Sequence, residues 1–137
     1  MRFRRAVAGG AAALALVTGI SIGAAGAASA DQSGGGCRYL SADGLQVRTC
    51  VDGDGAGDIW TEVQTSGSNN THINRCAGVV DSNQNILPGS LNCNVVWGPG
   101  SDVFSNTVFP GSGTYYGVSF FTSPAYWYGG ETPPISI

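Results

Sequence analysis

The chain has 137 residues, 22 glycines, four cysteines, 11% charged residues and a formal net charge of −3. It contains no lysine. So acidic a balance offers no basic patch to neutralise phosphates, which argues against nucleic acid as a partner.

Arg2, Arg4 and Arg5 open the chain, an apolar alanine-rich run follows from Ala11 to Ile22, and Ala28-Ser29-Ala30 precedes Asp31. A basic start, a short greasy segment and a small-residue ending predict a secretory signal peptide over residues 1–30. The apolar run is too short for a membrane-spanning helix. Ala6-Val7-Ala8 after the arginine pair lacks the twin-arginine pattern, so the general secretory route is expected. Cleavage leaves Arg38, Arg48 and Arg75 against nine acidic residues, a net charge of −6. The expected product is secreted, has no membrane contact after cleavage, and forms one domain over residues 37–137 behind a flexible lead-in at 31–36.

The rest of the sequence carries no helical period. Short alternating apolar and polar runs are broken by turn residues, the pattern of an all-β, antiparallel sandwich or barrel-like fold of about seven to eight short strands. The runs are 46–51, 59–65, 73–80, 91–97, 103–109, 114–121 and 125–128. In 59–65, Ile59, Thr61 and Val63 share one face, and Trp60, Glu62 and Gln64 the other. Pro133-Pro134 is expected to end any ladder near the C-terminus.

A secreted chain with four cysteines predicts disulfides. Asp43-Gly44 is a strong two-residue hairpin signal, and with it at the tip Leu40 faces Val47 and Cys37 faces Cys50. Facing Cα atoms lie ~4.5–5.5 Å apart, within the ~4.4–6.8 Å a disulfide accepts. The same arithmetic places the midpoint of Cys76 and Cys93 between Gln84 and Asn85, inside a turn-rich stretch. Two hairpin clips, Cys37–Cys50 and Cys76–Cys93, are therefore expected.

Candidate chemistry is sparse. Asp52, Asp54 and Asp58 with Glu62 invite a calcium reading, but Ala56 and Val63 stand where a helix-loop-helix calcium loop needs ligands. A solvated glycine-rich hairpin connection is the simpler account, with no metal and no cofactor. His72 is the only histidine and lacks a partner motif for zinc or nucleophilic chemistry. Asp58 and Glu62 would be a poor glycosidase pair on one loop and strand. Asn69-Asn70-Thr71 matches a glycosylation sequon and marks an exposed loop. No catalytic set emerges, and an enzyme is not expected.

Aromatic residues give the remaining signal. Nine of the twelve after position 30 lie between Phe104 and Tyr128. Strand alternation cannot hide both Tyr115 and Tyr116, or all of Tyr126, Trp127 and Tyr128, in one core. Either the surplus is shielded by the proline-rich tail, or Tyr115, Tyr126, Trp127 and Tyr128 form a face for a glycan or an extracellular protein. The first expectation is a non-catalytic secreted binding module. An alternative is a small protease inhibitor presenting Asn85, Ile86, Leu87 and Pro88 on the Cys76–Cys93 loop. A third is an envelope or spore-surface protein associating through edge strands.

Overall fold

The computed structural model describes residues 32–42, 44–100 and 102–137. The signal-peptide reading of 1–30 lies outside the described residues. The rest is all-β, in ten strands: β1 Ser33–Gly34, β2 Gly36–Ala42, β3 Leu45–Asp52, β4 Trp60–Gly67, β5 His72–Asp81, β6 Asn92–Trp97, β7 Asp102–Phe104, β8 Thr114–Ser123, β9 Trp127–Glu131 and β10 Ile135–Ser136. Two antiparallel sheets result. The larger has the order β1-β10-β8-β5-β6 with β9 also on β8, and the smaller has β2-β3-β4-β7.

Local chemistry explains the hairpins. β2 pairs with β3 with Ala42 opposite Leu45, Leu40 opposite Val47 and Cys37 opposite Cys50. Gly44 takes φ +77°, the left-handed value this tight turn requires. Both disulfides, Cys37–Cys50 and Cys76–Cys93, are formed as the register dictates. Closing such loops stabilises by roughly 3 kcal/mol each in the chain-entropy picture.

Three expectations need correction. The residues read as a lead-in supply β1, which pairs Ser33 with Ser136 and Gly34 with Ile135. The diproline does not end the ladder, because β10 follows it and pairs with Tyr115 and Thr114. Proline forbids only its own N–H bond, so the chain resumes pairing one residue later. Finally, the 103–109 run is strand only over Asp102–Phe104, followed by a single bridge between Val108 and Ile59.

The sheets pack face to face around two apolar clusters. One gathers Leu45, Val47, Val63, Ile73, Ala77, Val103 and Phe121, and the other Val51, Ile59, Val79, Tyr115 and Ile135. A polar seam runs between the sheets. The Thr61 hydroxyl donates to the Gly78 carbonyl at 2.8 Å, and the Thr49 and Ser119 hydroxyls share a bond of 2.6 Å. Towards one end, the Arg75 guanidinium is fully buried, donating to the Thr65 hydroxyl and, at 3.4 Å, to the Trp97 carbonyl. Its Nε has no partner among the described residues. Burial pushes the Arg75 pKa down, and the charge of Asp102 opposes this.

The seam needs small residues on β8. A Cβ at Gly117 would lie 2.7 Å from the Thr61 hydroxyl oxygen and 3.1 Å from a Thr132 methyl. Gly117→Ala is therefore expected to force the sheets apart and cost about 1–3 kcal/mol. Urea unfolding of the oxidised protein measures this, and an unchanged midpoint would show that the seam yields freely.

Candidate functional site

Alternation along paired strands decides which rings leave the core. On β5, Ile73, Arg75, Ala77 and Val79 face the second sheet, so His72, Asn74, Cys76, Gly78 and Val80 face outward. Their partners share that outer face: Trp97, Val95 and Cys93 on β6, then Phe120, Val118 and Tyr116 on β8. β9 adds Tyr128, which stands opposite Phe120. The outer face of the larger sheet thus carries a broad apolar and aromatic surface.

Part of this surface is covered by the β5–β6 connection. The Asp81 carboxylate accepts the backbone N–H groups of Asn83 (2.8 Å) and Asn85 (2.9 Å) and the Asn85 side-chain amide (3.2 Å). Gln84 adopts φ +66° at the tip. The chain then turns back so that Ile86 bridges to Val80. Residues 87–90 dip toward the core before β6 begins. Leu87 N–H bonds the Val79 carbonyl at 2.8 Å, while the buried Ser90 hydroxyl exchanges bonds with the Val79 backbone. Leu91 lies over Gly78, 3.5 Å from where its Cβ would stand. Val80 and Val118 are buried beneath this cover.

The uncovered part is a groove of about 310 Å³ lined by Val80, Gln84, Ile86, Val118, Phe120, Tyr126 and Tyr128. Tyr126 is 72% exposed and Tyr128 47%. Phe120 and Tyr126 rings lie 6.5 Å apart at 36°. No charged residue lines the groove. Glu131 stands at its rim, where it accepts the Tyr128 hydroxyl at 3.2 Å. Burial, and then the Glu131 carboxylate, push the Tyr128 pKa above its ordinary value. At neutral pH that hydroxyl is a neutral donor.

The structure divides the four aromatic candidates. Tyr126 and Tyr128 come together at the groove. Trp127 points inward, stacked on Phe121 with centroids 4.7 Å apart. Tyr115 is buried, its hydroxyl donating towards the Pro110 and Gly111 carbonyls, and it lines a different groove of about 500 Å³ with Asp81, Leu87, Pro88, Val108 and Phe109. That groove is an end of the core: Leu87, Val108 and Tyr115 already pack in the second cluster. The sequence reading missed Val80, Gln84, Val118 and Phe120, whose place depends on long-range pairing, and had Ile86 only as part of the inhibitor loop.

Other candidates disperse. Of the inhibitor-loop residues, Asn85, Ile86 and Pro88 are exposed, with Asn85 held by Asp81 and Ile86 bridged to Val80, while Leu87 packs against the second cluster. Asp54 and Asp58 stand side by side, and the hydrogen bond between their carboxyls lowers the Asp54 pKa and raises that of Asp58. Backbone N–H groups of Asp54 and Ala56 also bond this pair, and Asp52 accepts the Gly53 N–H. No group of three or more metal-ligating side chains is gathered among the described residues. Glu62 lies apart from Asp58, in a polar groove with Arg48, Asp52 and Trp60 on the smaller sheet. His72 stacks on Trp97, centroids 3.7 Å apart. Searches for a matching family, a similar characterised protein and a similar solved structure found none.

The groove's shape depends on Asp81. Hydrogen bonds, first that from the Asn85 N–H, hold its pKa below the ordinary aspartate value. A depressed folded pKa means that the stabilisation is complete above the ordinary aspartate pKa and is lost as pH falls through the lower folded value. The Ile86 methyl signals in NMR are therefore expected to stay constant at neutral pH and shift only in strong acid. Asp81→Ala should abolish that acid transition, and its survival in the variant would assign it to another group.

Proposed function

We propose that the chain is a secreted, non-catalytic binding module for a glycan or other cell-surface component, and that the groove around Tyr126 and Tyr128 is its ligand face. The observation that carries this reading is the pair of exposed tyrosine rings, fixed on and beside β9, flanking an uncharged groove. Tyrosine offers a flat apolar face and a polar tip, which suits the mixed surface of a sugar ring. The strand scaffold holds the rings in place before binding, so little conformational freedom is lost on association. Lack of charge in the groove favours neutral ligands over acidic ones. Val80 and Val118 give the groove an apolar floor against which the face of a sugar ring can pack, with Gln84 and the Tyr128 hydroxyl at its side to hydrogen-bond it. Two disulfides, which persist in oxidising compartments, support the extracellular setting.

Depletion of the purified, oxidised protein by a panel of insoluble polysaccharides and peptidoglycan tests the reading. Saturable depletion by at least one neutral glycan is expected. Tyr126→Ala and Tyr128→Ala should each weaken it about tenfold, equivalent to ~1.4 kcal/mol. Trp127→Phe, which keeps the inward ring stack, should bind like the parent. Absence of depletion throughout, or full affinity in folded Tyr126→Ala, would contradict the proposal.

A further inference from the structure

β6 ends the larger sheet, and no strand among the described residues pairs with its free edge. The direction of its backbone groups can be read from one bond. Gly98 N–H donates to the Thr71 carbonyl at 2.8 Å, continuing the register in which Ile73 faces Val96 and Arg75 faces Asn94. In an antiparallel ladder the bonded pairs alternate with pairs whose N–H and C=O turn away. Asn92, Asn94, Val96 and the Gly98 N–H are thus turned to β5, while Cys93, Val95 and the Trp97 N–H aim theirs at the free edge; the Trp97 carbonyl also takes the long 3.4 Å bond from Arg75. The same three residues carry their side chains on the outer face.

Natural edges are guarded by charge, proline, a bulge or extreme shortness. β6 has none of these. Its sequence Asn-Cys-Asn-Val-Val-Trp holds no charge and no proline over six residues, and its register on β5 is unbroken from His72–Trp97 to Ala77–Asn92. By contrast β2, at an edge of the other sheet, carries Arg38, and β7 has three residues. Val95 is 66% and Trp97 58% exposed. The Cys76–Cys93 disulfide holds the strand on β5.

We propose that β6 pairs antiparallel with β6 of a second copy of this chain, forming a two-fold dimer. One register uses all the outward groups. Val95 stands opposite Val95 of the second copy and exchanges both bonds with it. Cys93 stands opposite Trp97, where the Trp97 N–H donates to the Cys93 carbonyl and the second lone pair of the Trp97 carbonyl, beside its bond from Arg75, accepts the Cys93 N–H. Centring on Cys93 or Trp97 would leave some of these groups unpaired. Pairing is isologous and closes at two copies. Both outer faces then lie on the same side, and each Trp97 packs beside the disulfide of its neighbour. In a chain with few basic residues, an uncharged strand lets two copies meet without like-charge contact.

Sedimentation of the oxidised protein from micromolar to millimolar concentration, combined with amide hydrogen exchange, tests this. The mass is expected to rise with concentration and stop at the dimer, and the Val95 amide should exchange slowly only where the dimer forms. Val95→Pro removes an N–H that the monomer's ladder does not use, so it should fold and remain monomeric. Val95→Lys places charge on the edge and should raise the dissociation constant at least about tenfold. If the proline variant fails to fold, the lysine variant decides. A monomer at every concentration, growth beyond the dimer, unchanged dimerisation of a folded Val95→Lys, or a dimer with an unprotected Val95 amide would each overturn the proposal.

Discussion

The hydrogen bond from the Thr61 hydroxyl to the Gly78 carbonyl is the contact on which the arrangement of this sandwich depends. It crosses between the sheets, and it forms only because Gly117 leaves space beside Thr61. With Thr49 bonded to Ser119, it makes a polar seam that divides the interior into two apolar clusters. A seam of directional bonds fixes how one sheet sits on the other more sharply than apolar packing does, since unmade hydrogen bonds in the interior are costly.

The seam also accounts for where the aromatic residues go. At mid-strand the interior admits only glycine and serine from β8, at positions 117 and 119. The larger residues that alternate with them, Tyr116, Val118 and Phe120, fall on the outer face. An unusual amount of apolar surface is thereby pushed out of the core. Residues 82–91 cover one portion and bury Val80 and Val118. The portion left open is bounded by Tyr126 and Tyr128. The outer face is what a narrow, polar interior leaves over, and it is the face we propose for the ligand. If β6 joins a second copy, two such faces lie on one continuous sheet, and a polymeric ligand spanning both would gain through effective concentration.

Much of this fold was legible in the chain because it is local. The Asp43-Gly44 turn sets its own register, and that register alone brings Cys37 to Cys50. The second clip followed from the same arithmetic, although its loop is not the symmetric turn expected: the tip falls near Gln84, and residues 87–90 form an excursion into the core. Short-range pattern could not show that Leu87 would be claimed by the second apolar cluster. Nor could it orient the aromatic run. Tyr115 and Tyr116 alternate predictably, but which of them faces inward depends on the pairing of β8 with β5, which sets Tyr115 opposite Asp81 and Tyr116 opposite Val80. Between β8 and β9 the register also shifts near Val118 and Phe120, which helps set Tyr128 outward and Trp127 inward. Arg75 gave no signal at all, because its alternating position reads as an ordinary core site and its partners, Thr65 and the Trp97 carbonyl, come from other strands.

The most direct test of the central claim is to map, by two-dimensional NMR, the backbone amides perturbed when a soluble oligosaccharide of the best-bound polymer is added. The account predicts that the shifts cluster at Gln84, Ile86, Phe120, Tyr126 and Tyr128. Shifts gathered instead at Arg48, Trp60 and Glu62, on the opposite side of the sandwich, would contradict it.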